Sequence, residues 1–280
     1  MPDIIGHKRV VGDLTTLATK GDLSHSYIFY GPSMVGKRAT ALALAKFLEK
    51  GEFAIPETGE VLQDAEVIDF AFAKGLDPDV KDSIGIDAVR EVKNFLWQKP
   101  NASPKRTLII DDAELLTTEA QNALLKVTEE PPASSLMIIV VHDLERIMPT
   151  ILSRMQKVYF GAVPEAEIAA WMGSAPIAKR SLGKPGLASR LKNDKAFAES
   201  LTLAEKFLKT TPAGRRDFIK KLIEPDDFVL RKFLDAVIIT LAWEKPSKAK
   251  AELWHKTLAL YGNAENFTLN PRLQLETLLL

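Results

Sequence analysis

Residues 107–155 read TLIIDDAELLTTEAQNALLKVTEEPPASSLMIIVVHDLERIMPTILSRM, and this block indicates the fold class of the chain. An apolar run, Thr107–Ile110, leads directly into two carboxylates, Asp111 and Asp112. A second run, Leu136–Val141, is apolar on both faces, as is typical of a central strand in a parallel sheet. The segment between the two runs has helical spacing. The block therefore predicts strand, helix and strand within a parallel α/β fold.

A second unit of this kind lies near the N-terminus. Ser26–Tyr30 favours a strand, residues 31–38 read GPSMVGKR, and Ala39–Glu49 favours a helix. A glycine-bounded loop between a strand and a helix is the setting of the phosphate-binding P-loop, G-x-x-x-x-G-K-[S/T]. The strand and the helix on either side predict the P-loop fold.

The P-loop pattern holds as far as Lys37 and departs at the next residue. Gly31 and Gly36 would let backbone N–H groups cradle phosphates, and Lys37 would add a positive charge. The residue that normally offers a hydroxyl to Mg²⁺ is Arg38, which cannot bind a cation. The loop thus predicts a fold and leaves ATP turnover open.

Strand signals continue to a last short run, Lys157–Phe160, and vanish from Pro164 on. Short helical segments follow, and longer amphipathic helices begin after Asp194. We therefore predict an α/β domain over residues 1–162, a small helical domain over 163–194 and an all-α domain over 195–280.

Two local expectations concern the α/β part. Residues 51–85 form the least regular region, and we expect loop or insertion around one short strand, Val67–Phe70. In the helix after Asp112, Thr118 is the expected N-cap, with Gln121 completing a capping box.

Composition narrows the classes of function. Lys+Arg and Asp+Glu both total 37, so net charge gives no reason to expect tight nucleic-acid binding. The absence of cysteine excludes disulfides and cysteine-ligated zinc, and the four histidines lack metal-like spacing, so no metal site is predicted. No apolar stretch approaches the roughly 18 residues of a membrane span, and the N-terminus lacks a signal-peptide core. We expect a cytoplasmic protein.

The opening block carries two candidate sites. Asp111 ends a strand where a P-loop protein holds its Mg²⁺-associated carboxylate, although a carboxylate pair there is otherwise often only an acidic, helix-capping turn. Ser153 and Arg154 precede the last predicted strand. A lone arginine is usually a surface ion-pair partner. The alternative is an arginine finger that reaches a phosphate.

Taken together, these segments resemble the clamp-loader branch of the AAA+ ATPases, and within it the delta-prime subunits of bacterial DNA polymerase III. The matching segments lie in the expected order and cover nearly the whole chain, with 51–83 and 195–265 the thinnest parts. They are IIGH near the start, LSHSYIFYGPSMVGKR at 23–38, IDDAELLTTEAQNALLKVTEEPP at 110–132, PTILSRMQKVYF at 149–160, GKPGLA at 183–188 and LNPRLQLETLLL at the end.

The resemblance implies a RecA-like P-loop domain, a helical lid and a helical collar that joins subunits in a pentameric ring. The implied partners are gamma/tau-like motor subunits and a delta subunit. The complex would use ATP to load the sliding clamp onto primer–template DNA. Arg154 and Ser153 match the family's Ser-Arg-Cys motif, whose arginine acts in trans on the neighbour's ATP site. Met155 replaces the cysteine.

The departures from the motor subunits are informative. Arg38 replaces the hydroxyl residue, Asp112 replaces the glutamate that orients water, and Gly186 replaces the lid arginine. Val141-His142 lies near the position of the polar residue that senses the γ-phosphate. The family's zinc-binding cysteines, expected around residues 51–65, are absent, so no zinc is expected.

Three interpretations follow. The first is a non-catalytic subunit that supplies Arg154 to a neighbour and braces the ring, requiring no cofactor of its own. The second is an ATP-hydrolysing, gamma/tau-like motor subunit, since Gly31, Gly36 and Lys37 are intact and ATP or ADP remains possible as a ligand. The third, another AAA+ protein that has lost its site, does not account for the TEEPP and TILSR segments.

Overall fold

A computed structural model describes residues 4–80, 83–224, 228–245, 247–266 and 270–278. The chain divides into two compact units, Met1–Ala188 and Ser189–Leu280. The finer division into domains over 1–162, 163–194 and 195–280 stays a prediction. Within the described ranges, no helix is long and apolar enough to cross a lipid bilayer.

The first unit is built on a five-stranded parallel sheet in the order β2-β3-β4-β1-β5. Its strands are β1 Ser26–Tyr30, β2 Ala65–Ile68, β3 Arg106–Ile110, β4 Ser135–Val141 and β5 Gln156–Tyr159. Its helices are α1 Lys8–Lys20, α2 Lys37–Lys50, α3 Phe70–Leu76, α4 Ile86–Trp97, α5 Thr118–Glu129, α6 Pro149–Leu152, α7 Glu165–Met172, α8 Ala175–Arg180 and α9 Pro185–Asn193, which crosses the division between the units. The predicted parallel α/β fold is confirmed.

Alternate residues of the central strands face opposite sides of the sheet, and both sides are buried. One core contains Ile28, Ile110 and Ile139, and the other contains Phe29 and Ile138. All five side chains are fully buried. Cover on both faces explains why the central strands β3 and β4 read as nearly continuous apolar runs.

Two boundaries differ from the sequence predictions. The strand expected at Val67–Phe70 is β2, Ala65–Ile68, and Phe70 instead begins α3, because the Asp69 side chain caps that helix by accepting from Phe72 N–H at 2.9 Å. The expected cap at Thr118 was also wrong. Thr117 is the N-cap of α5 and accepts from Ala120 N–H at 3.2 Å.

The Gln121 side chain does not complete a capping box. Its amide nitrogen donates to the carbonyls of Leu116 and Arg146, and its amide oxygen accepts from Met148 N–H at 2.8 Å. Gln121 is buried. It therefore fixes α5 against the segment that leads into α6.

A buried ion pair holds the start of β3. Asp64 and Arg106 lie 3.0 Å apart, with their side chains only 1% and 6% exposed. Asp64 also accepts hydrogen bonds from the backbone N–H groups of Asn101, Ala102 and Ser103 at 2.6–3.0 Å. One carboxylate thus organises the whole turn between α4 and β3.

The region where the family's zinc cysteines were expected is connected to α2 by ion pairs. Glu60 contacts Lys50 at 2.6 Å and the buried Lys46 at 3.0 Å, and it accepts from Glu57 N–H at 2.8 Å. Lys50, the Glu57 N–H and Lys46 lower the pKa of Glu60 to about 2. Charge pairing holds this loop against the helix.

The second unit is helical in its described residues. Beyond the end of α9 it contains α10 Lys195–Lys209, α11 Pro212–Leu222, α12 Leu230–Trp243, α13 Lys248–Asn266 and α14 Pro271–Thr277. Phe207 is fully buried, with the rings of Phe218 and Phe233 at 5.9 and 5.7 Å. An aromatic cluster on three helices is a core of its own for this unit.

Candidate functional site

The carboxyl ends of the parallel strands bring the site residues to one edge of the sheet. The P-loop follows β1, Asp69 follows β2, Asp111 follows β3 and His142 follows β4. In open parallel sheets this edge is where ligands bind. The topology therefore brings together the P-loop and Asp111, as the sequence predicted, and adds Asp69.

Gly31 and Gly36 give the P-loop its path. They have φ angles of 133° and 113°, which L side chains rarely adopt. A Cβ on Gly31 would lie 2.1 Å from the Phe160 carbonyl oxygen. The loop at Gly31 therefore packs against the end of β5 at a distance that only glycine allows.

Lys37 points back onto its own loop. Its Nζ donates to the carbonyls of Gly31 and Pro32, each at 2.7 Å, and the residue is only 4% exposed. Burial lowers the pKa of Lys37 to about 8, against the opposing effect of Glu114 and the strand-end aspartates. The ammonium group that would contact a bound phosphate is instead hydrogen-bonded to backbone oxygens of its own loop.

Arg38 joins two strand ends. Its Nη1 lies 2.9 Å from Asp69 Oδ2 and 2.9 Å from Asp111 Oδ2. Asp111 is the carboxylate that would hold Mg²⁺ in a P-loop ATPase, and Arg38 stands at the position of the Mg²⁺-binding hydroxyl. A guanidinium between the two carboxylates supplies the cation there, so these residues do not fit a bound Mg²⁺.

Beyond Asp111 lies a second acidic group. Asp112, Glu114 and His142 bring one potential ligand atom each within 4.8 Å of one another. Burial and the neighbouring carboxylates Asp111 and Glu114 raise the pKa of Asp112. Burial also raises the pKa of Glu114, but hydrogen bonding from His142 outweighs it and the net shift is downward. The imidazole of His142 is thus paired with Glu114.

Two further contacts fix the outer side of the P-loop. Gly186 N–H donates to the Met34 carbonyl at 2.9 Å, and a Cβ on Gly186 would lie 2.9 Å from Met34 Cβ. His7 Nε2 lies 2.9 Å from the Val35 carbonyl oxygen. At Gly186, the packing against Met34 leaves no room for a side chain.

Ser153 and Arg154 lie at the amino ends of the strands, which is the edge of the sheet opposite the P-loop. The Arg154 carbonyl accepts from Ser26 Oγ at 3.1 Å, and Ser26 is the first residue of β1, whereas the P-loop follows its last. Five residues of strand separate the two edges by about 16 Å at roughly 3.3 Å per residue. The sequence predicted two candidate sites, the P-loop with Asp111 and the pair Ser153 and Arg154. The structure places them at opposite edges of the sheet.

Arg154 is partly exposed and already has contacts. Its Nη1 donates to the Thr150 carbonyl at 2.6 Å, and its Nη2 lies 3.0 Å from Glu129 Oε1. Ser153 Oγ donates to the same carbonyl at 3.0 Å. Met155, which replaces the cysteine of the family motif, is buried in the sheet core.

Sequence reasoning missed Asp69, His7 and Glu129. Asp69 lay inside the strand expected at Val67–Phe70, although a carboxylate at the end of a strand was a usable signal. His7 was assigned no metal-ligand role, and its contact with the P-loop backbone joins residues 28 positions apart. For Glu129 the signal was that TEEPP, which contains it, stands in a fixed relation to TILSR, which contains its partner Arg154.

The fold and the strand-end site define a P-loop protein with a RecA-like sheet. A family model described as "DNA polymerase III, delta subunit" matches residues 6–164. This match covers more than half of the chain, and the chain therefore belongs to this family of clamp-loader proteins, which confirms the resemblance read from its sequence.

Individual relatives agree with the family match. The delta-prime subunit of DNA polymerase III from Escherichia coli K12 is 32% identical over 143 residues, which are 48% of this chain and 43% of that protein. The gamma/tau subunit from Mycobacterium tuberculosis H37Rv is 29% identical over 165 residues, 58% of this chain and 28% of that protein. The chain thus spans less than half the length of these curated relatives.

A solved structure shows the same fold over nearly the full length. A DNA polymerase III gamma subunit-related protein from Thermotoga maritima matches with a TM-score of 0.63 at 19% identity. The match covers 95% of this chain and 97% of that chain. At this identity the comparison supports the fold, including a helical C-terminal region.

Proposed function

We propose that this chain is a clamp-loader subunit that does not turn over ATP and that supplies Arg154 to the ATP site of a neighbouring motor subunit. The observation that carries the proposal is the position of Arg154 at the sheet edge opposite its own P-loop, with the length of β1, about 16 Å, between the two edges. At that distance Arg154 serves a phosphate bound to another subunit.

The state of the chain's own P-loop edge supports the same proposal. Arg38 occupies the place of Mg²⁺, Lys37 is bonded to its own loop, and His142 pairs with Glu114. Arg38 and Lys37 would have to be released from these contacts before the edge could hold Mg²⁺ and a triphosphate. ATP or ADP bound here would be a structural ligand, and the chain requires no cofactor of its own.

The proposed partners follow from family membership and from the names of the relatives. The neighbour that receives Arg154 is a gamma/tau-like motor subunit, and a delta subunit completes the pentameric ring. The ring loads the sliding clamp onto primer–template DNA in the cytoplasm. Residues 195–280 form the collar that joins the subunits in this proposal, because their helices carry apolar faces beyond the α/β domain.

The chain's own ATP site is tested by nucleotide binding to the isolated chain, with and without Mg²⁺. We expect no ATP turnover, and no strengthening of ATP binding by Mg²⁺, because Arg38 holds Asp69 and Asp111. In Arg38→Thr, a hydroxyl replaces the guanidinium, and Mg²⁺ should then strengthen binding about tenfold or more, which corresponds to ~1.4 kcal/mol. Calorimetric titration measures the affinity for ATP with and without Mg²⁺.

Arg9→Thr is the matched control, since Arg9 is an exposed arginine of α1 that is distant in sequence from the P-loop and pairs with Asp13. It should behave as the wild type does. ATP turnover by the wild-type chain that disappears in Lys37→Ala would instead establish the alternative, an ATP-hydrolysing motor subunit.

A further inference from the structure

The TEEPP and TILSR segments, at 128–132 and 150–154 of the sequence, meet at the guanidinium of Arg154. Glu129 is the last residue of α5, and its Oε1 lies 3.0 Å from Arg154 Nη2. On the other side of the guanidinium, the Thr150 carbonyl of α6 accepts from Nη1 at 2.6 Å. Two separate elements therefore determine the direction of one side chain.

The two elements are fixed relative to each other by buried groups. The side chain of Gln121 bonds to the backbone of Arg146 and Met148, and Ile151 of α6 is fully buried. Because α5 and α6 share this support, the position of Glu129 relative to Arg154 is set by the framework and needs no contact with a neighbouring subunit.

The pair is exposed enough to act on an external ligand. The side chains of Arg154 and Glu129 are 37% and 51% exposed. A guanidinium has five N–H donors, and the contacts with Thr150, Ser153 and Glu129 use no more than three of them. The remaining donors are available to a phosphate oxygen while Glu129 still holds the other side of the group.

We propose that Glu129 is a positioning residue for Arg154: its carboxylate orders the guanidinium before the neighbour's phosphate arrives. This inference rests on the proposed function and names a second residue of the same trans site. A free arginine side chain loses much rotamer freedom when it is fixed, and an ion pair in place beforehand reduces that loss at the reaction step. Because the pair is solvent-exposed, its contribution is small.

The test uses a reconstituted complex with its motor subunits, in which those subunits carry alanine in place of their own finger arginines. The site completed by this chain then dominates the measured ATP turnover. In Glu129→Gln, we expect kcat to fall about two- to fivefold with KM for ATP unchanged, as the size of an exposed ion pair indicates. Assembly, measured by gel filtration, should be unchanged.

Two comparisons make the assignment specific. Glu130→Gln is the matched control, since Glu130 is the adjacent exposed glutamate and has no ion pair within the described ranges. It should leave kcat as in the wild type. In an Arg154→Ala background, Glu129→Gln should have no further effect, because a residue that acts only through Arg154 loses its target.

Several outcomes would overturn the inference. An unchanged kcat in Glu129→Gln would be one of them. A raised kcat would mean that Glu129 restrains Arg154. An equal loss of kcat in the Arg154→Ala background would mean that Glu129 has a merely structural role. If Arg154→Ala lowers turnover and Glu129→Gln does not, only the positioning role fails. If Arg154→Ala has no effect, the proposed function fails with it.

Discussion

Arg154→Ala should lower ATP turnover at the neighbouring site about 10³-fold while leaving the complex assembled. Charge develops on the transferring phosphoryl group, and one arginine supplied by the adjacent subunit stabilises it. The side chain lies on the surface, and its main-chain carbonyl bond to Ser26 does not depend on the guanidinium. The fold should therefore tolerate alanine, and the loss should appear in kcat.

The measurement again uses a complex whose motor subunits lack their own finger arginines, so that turnover at the other interfaces does not mask the effect. Lys157→Ala is the matched control, since Lys157 is an exposed cation three residues further along the chain. It should retain wild-type turnover. Equal turnover in Arg154→Ala and wild type, with assembly intact, would show that Arg154 is not the finger.

The sequence predicted the sheet and its P-loop because these features are local. Apolar runs such as Leu136–Val141 read as buried strands, and the glycines at 31 and 36 mark a loop whose path the structure confirms. The errors fell where a single side chain set a boundary. Asp69, the first residue after β2, caps α3, and Thr117 rather than Thr118 caps α5.

The state of the site depended on contacts distant in sequence. Arg38 was recognised as unable to bind Mg²⁺, but its partner Asp69 is 31 residues away and follows β2, a strand that does not pair with β1. Gly186 was read as the loss of an arginine, whereas the structure adds that Met34 leaves no space for a side chain. The residue types at 38 and 186 predicted that a Mg²⁺-binding hydroxyl and an arginine were absent. The contacts in the structure show which groups occupy the space instead.

The buried ion pair between Asp64 and Arg106 had no signal in the sequence. Of the substitutions considered for this chain, its removal should lower the free energy of unfolding most. Asp64→Ala leaves the Arg106 guanidinium almost fully buried without its carboxylate, and removes the acceptor of three backbone N–H groups. Breaking a buried pair in this way costs about 3–5 kcal/mol. Urea unfolding of the full chain measures the loss.

Hydrogen exchange provides a local readout of the same change. The N–H groups of Asn101, Ala102 and Ser103 should lose protection in Asp64→Ala, because each donates to the Asp64 carboxylate. Asp13→Ala is the control, since Asp13 forms an exposed ion pair with Arg9, and it should change the free energy of unfolding by less than about 1 kcal/mol. Equal stability of the two variants would contradict the role of the buried pair.

The pH dependence of stability gives the same assignment an independent test. Burial raises the pKa of Asp64, but the N–H donors of Asn101, Ala102 and Ser103, together with Arg106, outweigh it and hold the pKa below its usual value. A depressed carboxyl pKa stabilises the fold above the unfolded-state value of about 3.9, and this contribution is lost as pH falls through the folded-state pKa. Below about pH 4, the wild type should therefore lose stability more steeply than Asp64→Ala, whose unfolding free energy lacks this contribution at every pH. Parallel curves for the two proteins would mean that Asp64 is not an ionised partner of Arg106.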